Sequence, residues 1–472
     1  AGRGMRWFGP NAIAASLAMA AAAAAIQSFW IPLDADVSWL ITAAEKIVSG
    51  ARLYVDVFEV NPPASVWLYV PFVWIATVIG AKIEAVVAAG FIAGGLASVA
   101  ASVRMATRLD NPPRPAVLAG GLSFLCLVLP MALFAEREHA ALLLAFPLLT
   151  AVALIAEAKP LSPRESFLSG VAAGLIIIIK PYFVLAVVAP ALWAAWRRRS
   201  IAAIVAPTLA GAAAIAIYAA AMLVFTRAYF DWLPLIAHTY AKMHNVWWKV
   251  FVGPTVFPAI ALALAILARP PKIPPLATAW GIGSAGFVIS AIAQAKNYPN
   301  HWLPGAALAM AATFVLLSSP GIANVRRYSV GAGLAVLALL AIRQWTILPD
   351  PVLQAAVERV APPSPRILSL SPQLTTGFPV TRNVGGTWVG SSPGLFTAAG
   401  SRFVGLNDPL ALKGYREDLE SFARDVRRGS PDIVLVDKAA KPWLLKEPVI
   451  VRAMADYRPA LATEQTEIWV RR

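Results

Sequence analysis

The residues able to do chemistry fall in short groups separated by long apolar runs. The first is Asp34-Ala35-Asp36, with Trp39 three residues on and an amphipathic stretch running to Gly50. Carboxylates directly after an apolar run place an acid where water meets lipid, and an acid there can take the proton of a hydroxyl. The plainer role is a helix cap, which Asp36 could fill for the stretch behind it. Next come Leu53-Tyr54-Val55-Asp56 and Glu59-Val60-Asn61-Pro62-Pro63, adding two acids and an amide. Glu136-Arg137-Glu138-His139 then sets ionisable side chains in an unbroken row between two apolar segments, where each must reach water or a partner. Lys180, just before Pro181, interrupts an apolar run; its ammonium either snorkels to the headgroups or meets a phosphate. Last, Lys296 precedes Tyr298-Pro299-Asn300-His301-Trp302-Leu303-Pro304. An interfacial belt explains Trp302 but not His301.

Weaker signals sit elsewhere. Residues 226–250 read as a loop that carries Arg227, Asp231, His238, Lys242, His244 and Lys249 with Trp247 and Trp248, a composition suited to a headgroup, a sugar face or an ordinary aromatic girdle. His238 and His244 stand six apart, which does not put both on one helical face, so a metal pair there is weak. Cys126 is the single cysteine, inside an apolar run, and offers neither a disulfide nor a cysteine metal cluster.

The elements that must position these groups are membrane helices. With 59% hydrophobic and 14% charged residues over 472 positions, the chain is polytopic. A net charge of +15 could suggest nucleic acid, but the basic residues are spread over short loops: Arg104, Arg108 and Arg114; Lys159 and Arg164; Arg197 to Arg199; Arg269 and Lys272; Arg326 and Arg327. They follow every second apolar segment, as cytoplasmic loops do, and so the charge argues for topology and against a nucleic-acid partner. Segment 11–30, behind Arg3 and Arg6, reads as a retained first helix rather than a cleaved signal. Further spans are expected at 84–103, 116–134, 139–156, 167–180, 182–196, 201–225, 251–268, 276–294, 303–318 and 330–348, about 11 in all, with the short fifth and sixth meeting at Lys180-Pro181. Residues 66–80 are apolar but bracketed by Pro62, Pro63 and Pro71; a full crossing there would invert the charge pattern, so a juxtamembrane or re-entrant helix is expected. The expected organisation is thus a membrane domain over 1–348 and a small C-terminal α/β domain over 349–472. In the latter, 367–371, 433–437 and 467–470 read as strands and 415–428 as an amphipathic helix.

On these motifs the chain resembles the GT-C superfamily of integral membrane glycosyltransferases. Its nearest branch is that of bacterial relatives of protein O-mannosyltransferase and lipid A aminoarabinose transferase, and the resemblance covers about residues 10–345. It implies a polytopic α-helical GT-C-like fold, and the parity of the expected spans puts the C-terminal domain outside, in the periplasm of a bacterium, with the chain in the inner membrane. It further implies an inverting enzyme that moves a sugar from a polyprenyl-phosphate donor to a hydroxyl on a cell-envelope glycan, lipid or protein. Asp36 would be the general base, with Asp34 second. Arg137, His139, Lys180, His301 and Lys296 would hold the donor phosphate. Asp56, Glu59, Asn61, Glu136 and Glu138 would contact sugar or acceptor, and Glu136 or Glu138 a divalent cation. The sequence departs from its nearest branch where Val37, rather than Glu, follows Asp36. A transporter or lipid flippase is the rival class; such proteins commonly carry structural repeats, and no repeat is legible here.

Overall fold

The computed structural model describes residues 9–252 and 255–472. Arg3 and Arg6 lie outside the described residues, as do residues 253 and 254 within the expected eighth span. Contacts between Cα atoms divide the chain into two compact units. One is built from residues through Ile31, Glu84–Ala221 and Asn245–Ile347, the other from Pro32–Ile83, Met222–His244 and Leu348–Arg472.

In the first unit each expected apolar segment contains a helix among the described residues. In chain order the helices are Pro10–Ala25, extended by a π-helical turn at Ile26–Trp30; Ile83–Ala106; Pro115–Ser123, extended likewise at Phe124–Val128; Arg137–Ala156; Pro163–Ile179; Val184–Arg198; Ala202–Phe225; Val256–Leu267; Pro275–Gln294; Pro299–Leu317; and Asn324–Trp345. Among the described residues, seven helices are long and apolar enough to cross a membrane, which makes this a multi-pass membrane protein. The remainder of the expected spans are shorter, Val256–Leu267 being 12 residues.

Enclosure is uneven, and that unevenness positions the site. The spanning stretches of Arg137–Ala156 and Pro299–Leu317 are 83% and 94% buried, against 11% for Ala202–Phe225. The two innermost helices are therefore those that begin at the ionisable motifs. Helix Pro163–Ile179 opens on a capping box, Ser162 with Glu165, and closes on Lys180. Its Gly170 and Gly174 lie against the backbone of helix Ala202–Phe225: a Cβ at Gly174 would sit 2.7 Å from the Gly211 carbonyl oxygen, and one at Gly170 would strike that of Pro207. Small residues four apart let membrane helices approach this closely.

The second unit starts with helix Ala35–Val48, followed by Ala64–Trp67 and Val70–Ile79. The last two make a short apolar run that Gly80 closes in the left-handed conformation, φ +66°. Residues 226–250 were expected to be a loop, but Ala228–His238 is a helix of this unit; Pro234 inside it hid the pattern. A mixed sheet completes the unit: β1 (Arg366–Leu370), β2 (Thr387–Trp388), β3 (Ile433–Asp437), β4 (Tyr457–Ala462) and β5 (Thr466–Arg471), in the order β2-β1-β3-β5-β4. β2, β1 and β3 run parallel, and β5 and β4 pair antiparallel at one edge. β3 is buried along its length, and helix Pro409–Gly429 buries Tyr415, Leu419, Phe422, Ala423 and Val426 on one face. Asp408 caps that helix through the Ala411 amide, 2.9 Å, and Ser430 ends it in the left-handed region, φ +38°.

Candidate functional site

Three of the expected phosphate and sugar residues meet inside the first unit. Glu138 stands in the first turn of helix Arg137–Ala156, where the exposed amides of the helix end favour an anion. Lys180 follows the last turn of helix Pro163–Ile179, and His301 lies in the first turn of helix Pro299–Leu317 rather than in a loop. The Lys180 ammonium donates to Glu138 Oε1 and lies 3.0 Å from His301 Nε2, which in turn stands 3.7 Å from the same carboxylate oxygen. All three side chains are buried, at 0%, 8% and 4% exposure for Glu138, Lys180 and His301. Ionic groups this enclosed persist only when paired.

Because an ammonium can only donate, the contact makes His301 Nε2 the acceptor and puts the ring proton on Nδ1. Among the described residues nothing reaches that Nδ1, nor Glu138 Oε2. The cluster therefore presents a cation, a buried N–H donor and a carboxylate acceptor side by side. Arg137 adds a second buried cation that acts electrostatically on all three, and buried Glu136 acts on Lys180. Lys296 is half-buried, and its backbone carbonyl accepts from the Asn245 amide at 2.7 Å.

Strained turns precede two of these side-chain groups. Met131 and Ala135 hold φ of +50° and +66° just before Arg137, and Ala295 and Asn297 hold +49° and +56° just before His301. Left-handed non-glycine residues persist where surrounding structure over-determines them. Here His139 does so for Ala135: its Nδ1 accepts the Ala135 amide at 3.0 Å and its Nε2 donates to the Cys126 carbonyl at 2.7 Å. The ring also packs against Phe91 and Phe134. Both ring nitrogens are thus spent on backbone, which corrects the expectation that His139 holds phosphate; it holds the turn. Gln27 steadies the same loop through the Met131 carbonyl, 3.0 Å, and was passed over because a lone amide in an Ala-rich span carries no charge signal. Trp302 departs from the expected interfacial belt. It is fully buried, packs with Val250 and Ala291, and donates to Asn297 Oδ1 at 3.2 Å.

The second unit holds the other candidates. Asp34, not Asp36, caps helix Ala35–Val48, accepting the Val37 amide at 2.9 Å. Asp36 is half-buried in the first turn. Glu59 is a structural clamp: Oε2 accepts Trp39 Nε1 at 2.5 Å, while Oε1 accepts both the Asn61 amide and its side-chain nitrogen. Glu59 and Asn61 were expected to face sugar or acceptor; instead their polar atoms knit the chain between Trp39 and Pro62. Asp56 likewise turns to its own loop, bound to the Arg52 amide at 2.9 Å and the Arg52 side chain at 3.0 Å. That side-chain bond, with the amide behind it, holds its carboxyl below the ordinary range. His238 stands 3.0 Å from Asp408, and His244 packs on Phe403, so the two histidines have separate structural roles. Arg382 binds Glu45 at 2.5 Å and Thr42 at 3.1 Å, pairings that no motif announced. Among the described residues no three or more His, Cys, Asp or Glu side chains gather as a metal would require.

Comparison with known proteins now bears on the fold. No protein-family model matches the chain, and no curated protein matches its sequence. Among solved structures, ArnT from Cupriavidus metallidurans in the apo state superposes with a TM-score of 0.61 at 12% identity, over 97% of this chain and 97% of that one. The chain shares the fold of ArnT. The likeness spans both compact units, so the fold the sequence motifs implied extends beyond residues 10–345. Arabinofuranosyltransferase AftD from Mycobacteria aligns with a TM-score of 0.44 at 13% identity, over 97% of this chain and 41% of AftD; a likeness that loose carries no argument.

Proposed function

We propose that the chain is an inverting glycosyltransferase that moves a sugar from a polyprenyl-phosphate donor to a hydroxyl acceptor. It would act at the periplasmic face of a bacterial inner membrane, on a cell-envelope glycan, lipid or protein. The observation that carries this reading is the buried Lys180–His301–Glu138 cluster, set at the ends of three helices in a chain with the ArnT fold.

The chemistry follows from charge. The acceptor oxygen attacks the anomeric carbon, the bond from that carbon to the phosphate oxygen breaks on the opposite side, and the electron pair leaves with the lipid phosphate. Negative charge grows on that phosphate as the bond opens. A Lys180 ammonium, the His301 Nδ1–H and Arg137 are groups that stabilise such charge where water is scarce. Lys296 is the outlying cation of the set. Glu138 balances Lys180 before a donor arrives. The acceptor proton goes to a carboxylate, and the resemblance assigns that role to Asp36. Asp34 is the second choice, because its side chain already serves the helix cap.

The test uses membranes containing the full chain, radiolabelled undecaprenyl-phosphate sugars and a comparison of wild type with Asp36→Asn and Lys180→Met. The expected result is label transfer by the wild type and a loss of two or more orders of magnitude in both variants, the scale of a general base or an oxyanion donor. Undiminished transfer by Asp36→Asn removes Asp36 as base. Failure of the wild type with every polyprenyl donor removes the activity itself.

A further inference from the structure

We propose that the turn joining helices Val184–Arg198 and Ala202–Phe225 is a binding site for an acidic glycerophospholipid of the surrounding leaflet. A surface cavity of about 860 Å³ opens there. Its lining mixes apolar side chains, Leu192, Trp196 and Ile201, with polar ones, Arg197, Arg199 and Ser200. Trp196 and Ile201 are 76% and 73% exposed, a poor arrangement in water and a suitable one at the boundary of a bilayer. The second of the two helices is a span of 24 residues, which puts the turn at its N-terminus at that boundary.

Several features separate this place from an ordinary run of cytoplasmic arginines. Arg197 is tied by its Nε to the Ala156 carbonyl at 3.2 Å, so one edge of a planar fork with further N–H donors is fixed in place. Arg199 occupies the residue after the helix in the left-handed conformation, φ +49°, a position at which glycine is the relaxed choice. A guanidinium is kept there against backbone preference, lining the same cavity as a hydroxyl and an indole. A phosphate diester matches the two guanidinium groups and the serine that line the cavity, its glycerol and upper acyl chains match Trp196 and Ile201, and the local positive charge selects a lipid with net negative charge. The two bland causes of such arginines, loop orientation and the helix dipole, require neither the cavity nor the strained residue.

The test is native mass spectrometry of the full chain in detergent, titrated with dioleoyl phosphatidylglycerol or dioleoyl phosphatidylcholine. Wild type should retain the acidic lipid at least tenfold more tightly than the neutral one. Arg199→Gly relieves the backbone while removing the guanidinium, so it should unfold at the same temperature or higher yet bind the acidic lipid at least fivefold more weakly. Trp196→Ala should weaken both lipids. Equal retention of the two lipids by wild type, or unaltered binding by Arg199→Gly, overturns the proposal. Displacement of the acidic lipid by an equal concentration of undecaprenyl phosphate also overturns it, since the cavity would then belong to the carrier. None of these outcomes depends on sugar transfer.

Discussion

Glu138 and Lys180 show what a paired charge is worth in an apolar interior. Removing one partner strands the other where nothing solvates it, a cost of about 3–5 kcal/mol, whereas removing both leaves a neutral gap. Lys180→Met alone should therefore lower the thermal unfolding midpoint in detergent sharply. The double change Lys180→Met with Glu138→Gln should recover more than half of that loss while leaving transfer abolished. Recovery of activity in the double variant would mean that the pair is structural only. At Asp34 the expected loss is smaller: Asp34→Ala removes a helix cap worth about 1 kcal/mol, and Asp34→Ser restores it, read as the unfolding midpoint. The sequence showed that acids and cations stood at span ends, because charge in an apolar run is conspicuous. It did not show which ones turn inward. Glu59, Asn61, Asp56 and His139 looked equally poised, and their partners are Trp39 Nε1, their own neighbours and backbone atoms, contacts fixed by tertiary packing and invisible to spacing.

Among the helices, legibility followed apolar length. Each expected span holds a helix among the described residues, because a long run of Ala, Leu, Ile and Val in lipid leaves its backbone no other way to satisfy its hydrogen bonds, and seven of these helices are long enough to cross. Helix Ala228–His238 was missed because Pro234 and several polar residues break its pattern. In the sheet, β1, β3 and β5 were legible as apolar runs. The two-residue β2 and the β4 edge, with Pro459 inside it, were not. Close helix contact gives a prediction at this scale. Gly170→Val places a branched side chain against the Pro207 carbonyl and should force helices Pro163–Ile179 and Ala202–Phe225 apart. A cysteine pair engineered across that contact should crosslink readily in the parent and poorly in the variant, and Gly170→Ala should fall between them.

Across the whole molecule, pH dependence is written into the second unit. Burial pushes the Asp418 carboxyl up to about 7, opposed by its bond from the Ala398 amide at 2.7 Å. An acid whose folded value lies above its unfolded value of about 3.9 binds more protons when folded, so its contribution to stability is intact below about pH 4 and is lost as pH rises through about 7. At about 1.4 kcal/mol per unit the span amounts to a few kcal/mol. The unfolding midpoint should accordingly fall between pH 5 and pH 8, and Asp418→Asn, which keeps an oxygen for the Ala398 amide, should flatten that slope. A slope unchanged by the substitution would place the titration elsewhere.

The order of the buried cluster along the chain also matters while the protein is being made. Glu138 and Lys180 are 42 residues apart, whereas His301 comes 121 residues after Lys180. Acid and lysine are thus both synthesised, and able to neutralise each other, well before the ribosome reaches the histidine. A lone lysine or carboxylate shut away from water at a helix end is costly until it meets a partner. The two helix ends that carry the pair can thus neutralise each other without the histidine, which is the last member of the cluster to be made.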